Sequence, residues 1–99
     1  MRLNPHDREA ILRAAVEVAG PQAWALLFGS RTDDSARGGD IDLLVELPQA
    51  GANPLGLSLR LSARIQRRIG LHRIDVLVAD PATPVTPLLA RARRDGVAL

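Results

Sequence analysis

An α/β fold, with helices packed on a small mixed sheet of three or four strands, is what this sequence of 99 residues predicts. Three observations predict it. Short, near-continuous apolar runs alternate with longer segments of helical periodicity. Each helical segment opens on Asn-Pro or Thr-Pro, a capping side chain followed by proline in the first helical turn. Each also closes at a glycine: Gly20, Gly70 or Gly96.

Asn4-Pro5 opens the first helix, with Asp7 near its positive end, and Ile11, Leu12, Ala15, Val16 and Ala19 recur at helical spacing. Ala23 to Phe28 is an apolar run ending at Gly29, which reads as a buried strand. Residues 29–39 are a polar loop with room for a helical turn after Ser30. Ile41 to Leu47 is a second strand, stopped by Pro48. After Asn53-Pro54, Leu57, Leu61, Ile65 and Ile69 fall four apart, with Arg60, Arg64, Arg67 and Arg68 between them. Arg73 to Ala79 is a third strand ending at the Asp80-Pro81 turn. Thr86-Pro87 starts a short last helix through Arg94. The apolar end, Val97 to Leu99, hints at packing or association. No linker divides the sequence, so residues 1–99 are expected to form a single domain.

Composition narrows the function classes. The apolar share of 46% supports a core, and with Trp24 and Phe28 as its aromatics that core is aliphatic. All 13 basic residues are arginine, which removes any lysine-based mechanism. The formal charge of +2 does not call for nucleic acid as a partner. The lack of cysteine excludes disulfides, thiol catalysis and cysteine zinc sites. No signal-peptide pattern is present, and no apolar run approaches the roughly 20 residues of a membrane span. A cytoplasmic protein with no membrane association is expected.

Chemistry concentrates in two places. Asp40 and Asp42 open the second strand two residues apart, so their carboxylates share a face while Ile41 points away. Neighbouring carboxylates repel unless a cation lies between them. Oxygen donors suit a hard cation, Mg²⁺ or Mn²⁺. Asp75 lies inside the third strand between Ile74 and Val76, and it completes a three-carboxylate cluster if that strand lies beside the second. Asp80 is its rival, although Asp80-Pro81 reads better as a turn. Gly29 and Ser30 leave the first strand where backbone amides, the Ser30 hydroxyl and Arg31 can cradle a phosphate. Asp33 and Asp34 read as loop or capping residues, His72 as a surface loop residue, the arginine stripe as a solvated helix face and Trp24 as core. His6 has no functional claim.

Leu-Phe-Gly-Ser-Arg, followed by Asp-Ile-Asp-Leu-Leu-Val and a later acid on another strand, resembles the signature of the DNA polymerase β nucleotidyltransferase superfamily. Length and the ending Arg-Asp-Gly-Val-Ala-Leu resemble the minimal nucleotidyltransferases within it. The resemblance implies a nucleotidyltransferase fold, with Asp40 and Asp42 holding two Mg²⁺ ions. It implies that Asp75 binds the catalytic metal and helps deprotonate the acceptor, and that Gly29 and Ser30 hold the triphosphate of ATP. Many minimal members are antitoxins that transfer AMP from ATP to a tyrosine of a HEPN-family toxin, a ribonuclease. A protein adenylyltransferase of that kind, in a hetero-oligomer with its toxin, is therefore the expected function. The spacer between Ser30 and Asp40 is nine residues, where many of those antitoxins have ten. Two alternatives are a small-molecule nucleotidyltransferase of the aminoglycoside-modifying type and an antitoxin acting by contact alone. The first usually carries an added helical domain, for which this sequence has no room.

Overall fold

The computed structural model describes residues 3–29, 41–51, 53–70 and 73–99. Its elements run α1 (Pro5–Ala19), β1 (Trp24–Phe28), β2 (Ile41–Glu46), α2 (Pro54–Ile69), β3 (Ile74–Ala79), α3 (Pro87–Asp95) and β4 (Val97–Ala98). The expected α/β architecture is observed: three helices pack on a four-stranded mixed sheet of order β3-β2-β1-β4. β1 lies antiparallel to both β2 and β4, and β2 runs parallel to β3.

The helices begin where the sequence places their caps. The side chains of Asn4, Asn53 and Thr86 accept hydrogen bonds from the amides of Asp7, Gly56 and Leu89, at 2.8, 3.2 and 3.1 Å. Each bond satisfies one amide that the first turn leaves without an intrahelical acceptor. None of the helices is long and apolar enough to cross a membrane among the described residues.

The two faces of the sheet are covered unequally. Ile41, Leu43 and Val45 of β2 join Leu27, Ile74 and Val78 beneath Ile11 and Ala14 of α1 and Leu61 and Ile65 of α2. Full burial of each such leucine or isoleucine contributes about 1.5–3 kcal/mol of transfer free energy. α1 and α2 are tied across their outer surface by Glu17, which accepts from Arg64 at 3.1 Å and Arg68 at 2.9 Å. Two arginines of the expected solvated stripe thus clamp one helix to the other. On the opposite face, α3 lays Leu89 and Ala92 over Leu44 and Ala79, with Leu26, Phe28 and Leu77 at the margin. Nine residues of helix cover part of that face and leave the rest open.

The C-terminal apolar end forms the fourth strand. Val97 and Ala98 pair with Leu27 and Leu26, and the Leu99 amide donates to the Ala25 carbonyl at 3.0 Å. Gly96 permits this return. A Cβ there would stand 2.5 Å from the Ala92 carbonyl oxygen and 3.0 Å from the Leu26 Cβ.

Trp24 departs from the expected core position, being 49% exposed. It starts β1 and pairs in register with Glu46, whose carboxylate is held by Arg93. This end of the face is therefore closed by an ion pair instead of an apolar layer.

Candidate active site

Strand alternation sorts β2 into two sets. The odd positions enter the main core, which leaves Asp42, Leu44 and Glu46 on the face that carries α3. In the parallel β2–β3 ladder Asp42 is the register partner of Asp75, and Leu44 that of Leu77. Register partners on neighbouring strands lie about 4.8 Å apart and share a face, so the carboxylates of Asp42 and Asp75 are set side by side. The ladder extends past them, with the Ile41 amide donating to the Arg73 carbonyl at 2.8 Å. β3 thus lies beside β2, the condition under which Asp75 can join the aspartates of the second strand, and it is Asp42 that it pairs with in register.

β1 brings the glycine turn to the same place. Phe28 pairs with Asp42, and Gly29 follows at φ +76°, a backbone conformation that residues with a Cβ rarely adopt. Space gives a second reason for glycine. A Cβ at Gly29 would run into Asp42 Oδ2 and stand 3.2 Å from its Cγ. The bare glycine backbone is what lets the end of β1 pass directly beside the Asp42 carboxylate.

Ser30, Arg31 and Asp40 lie outside the described residues, as do Asp33, Asp34 and His72. Among the described residues no group of three His, Cys, Asp or Glu side chains could hold a metal; Asp42 and Asp75 form a pair. That pair fits a hard cation in its chemistry. Two neighbouring carboxylates give a concentrated set of oxygen donors. Asp75 is exposed and makes no ion pair with any described residue.

The pair opens into a cleft of about 580 Å³ at the β3 edge of the sheet. Phe28 and Leu88 border it on the α3 side, and Ser58, Leu59 and Ser62 of α2 border it on the other. The Ser62 hydroxyl donates to the Ile74 carbonyl at 3.4 Å, and the Ser58 hydroxyl to the Leu55 carbonyl at 2.8 Å. Sequence reading missed these two serines. Their signal was a hydroxyl pair at i, i+4 on a helix otherwise made largely of leucine, isoleucine and arginine. A second cleft, of about 490 Å³, lies between the end of α1 and the loop after β2. Its described lining holds no titratable side chain, so it offers no comparable chemistry.

Asp80 is placed elsewhere. Its backbone amide donates to Thr83 Oγ1 at 2.9 Å, and its carboxylate accepts from the Ala82 amide at 2.8 Å and the Thr83 hydroxyl at 3.2 Å. This buried, satisfied carboxylate organises the turn after β3, at the opposite end of the strand from Asp75. Arg93 ends the same face in a different way. Its guanidinium grips Glu46 through Nη2 at 2.7 Å and Nε at 3.1 Å, and that hydrogen bonding raises the arginine pKa.

No protein-family model matches the chain, and no curated protein matches it.

Proposed function

We propose that this chain is a metal-dependent nucleotidyltransferase that moves AMP from ATP onto a protein hydroxyl. The observation that carries the reading is the in-register pair Asp42 and Asp75, set beside the Gly29 turn at the mouth of an open cleft. The order of the motif along the sequence, and its resemblance to the nucleotidyltransferase signature, supply the reaction class.

Asp42 and Asp75 would hold Mg²⁺ or Mn²⁺, joined by Asp40, two residues before Asp42 in the sequence. A pair of bound ions supplies charge neutralisation for the triphosphate and acidifies the attacking hydroxyl. The amides following Gly29, with Ser30 and Arg31, would cradle the triphosphate. Asp75, on the edge strand, would take the acceptor proton. The acceptor oxygen forms a bond to the α-phosphorus, the α–β phosphoanhydride bond breaks, and pyrophosphate leaves with the bonding electrons. The acceptor in this reading is a tyrosine of a HEPN-family toxin, which the transfer silences in the cytoplasm. The chain then serves as the antitoxin of a two-protein module.

The test is mass spectrometry of the partner toxin after incubation with the chain, ATP and Mg²⁺. The expected result is an added AMP mass, absent with Asp42→Ala. Full neutralisation of the toxin by Asp42→Ala would point instead to an antitoxin acting by contact. Transfer to an aminoglycoside, with none to the protein, would point to a small-molecule enzyme.

A further inference from the structure

The outer face of α2 is divided lengthwise. Leu55 and Leu59 stand one turn apart and are 71% and 66% exposed. Leu59 lines the cleft that holds Asp42 and Asp75, and Leu88, 52% exposed, faces it from α3. At 3.6 residues per turn, Arg60, Arg64 and Arg67 form a parallel seam roughly 100° around the helix. With Ala63 they line a shallow groove of about 190 Å³. Arg64 is engaged by Glu17, whereas Arg60 and Arg67 are exposed and make no ion pair with any described residue.

From this arrangement we infer that α2 is the docking surface for the acceptor, and that the acceptor presents an acidic, amphipathic helical segment to it. The inference rests on the transfer reaction proposed above and names what approaches that site. Apolar side chains of the segment would cover Leu59 and Leu88, which line the cleft, and Leu55 one turn beyond Leu59 on α2. Its acidic side chains would meet Arg60 and Arg67. Charge complementarity of this kind steers encounter and fixes register. A polycationic small acceptor would be repelled by the same arginines. RNA would find charge there but no reason for the leucine seam beside it.

The test uses the full chain and four tyrosine peptides on one helical scaffold, bearing leucine or serine on one stripe and glutamate or lysine on the next. Binding is read by fluorescence anisotropy without ATP or metal, so that a docking failure is separated from a failure of transfer. Transfer to N-acetyltyrosinamide with ATP and Mg²⁺ is measured in parallel. The leucine–glutamate peptide is expected to bind at least about tenfold more tightly than the other three. The double variant Arg60→Glu, Arg67→Glu should lose that preference and favour the leucine–lysine peptide, and Leu55→Glu should weaken both. Three outcomes overturn the inference: no discrimination among the peptides, complete displacement of the peptide by a single-stranded RNA oligonucleotide, or self-association of the chain abolished by Leu55→Glu.

Discussion

Asp42 and Glu46 stand four residues apart on the same face of β2, yet their surroundings are opposite. Glu46 meets the guanidinium of Arg93, a two-pronged ion pair delivered by α3. Asp42 meets the carboxylate strand position of Asp75 and the bare backbone of Gly29. One end of the strand has its charge answered within the fold. At the other end a second carboxylate, Asp75, stands in register with Asp42 beside an open cleft. Adjacent carboxylates without a cation between them repel each other, so the two ends of the strand differ in what they could bind.

The largest expected effect comes from removing the second charge. Asp75→Asn keeps the shape of the β3 edge, and its exposure makes the change tolerable to the fold. AMP transfer should fall by at least about a hundredfold. Mn²⁺ affinity, read by electron paramagnetic resonance, should fall with it. Undiminished Mn²⁺ binding would end the reading of this pair as a metal site.

Gly29→Ala tests the same end from the other strand. An alanine at positive φ costs about 1–3 kcal/mol, measurable by urea unfolding. Its Cβ must also displace the Asp42 carboxylate, so Mn²⁺ binding should weaken beyond what stability alone explains.

Arg93→Ala addresses the answered charge. It should cost about 1 kcal/mol, the scale of a partly exposed ion pair, and leave Mn²⁺ binding unchanged. Loss of metal binding in this variant would show that the two ends of β2 are not independent.

The smallest effect belongs to Glu17, a second carboxylate answered by arginine. Partial desolvation pushes its pKa up, but hydrogen bonds and charge from Arg68 and Arg64 outweigh this and hold it below 4.5. A depressed carboxylate pKa stabilises the fold fully above the unfolded value and loses that contribution as pH falls through the folded value. Wild type should therefore lose slightly more stability than Glu17→Gln on acidification below pH 4.5, in parallel urea titrations.

The helix starts were legible because proline and a capping side chain act locally, within one turn. The pairing of Asp42 with Asp75 was legible as an expectation, since strand alternation needs only the neighbouring residues, but its register comes from the packing of α2 over β2 and β3. β4 was legible only as an apolar end, because two residues carry no periodicity. Trp24 misled because aromatic size argues for burial, whereas it starts β1 opposite Glu46, where the Arg93 ion pair stands on the neighbouring strand and the ring stays half exposed. Ser58 and Ser62 border the cleft through the placement of their helix at the sheet edge, a tertiary fact that no local pattern carries.

The parallel pairing of β2 with β3 has a kinetic consequence. Its two strands are joined through the whole of α2, so Asp42 and Asp75 cannot meet until that helix has crossed the sheet and docked. Antiparallel neighbours can zip outward from a turn, whereas a parallel pair must first close its long connection against chain entropy. Formation of this pair therefore waits on a long-range step of folding. A half-folded chain would hold its two aspartates apart, so metal binding by the pair would report that α2 has docked.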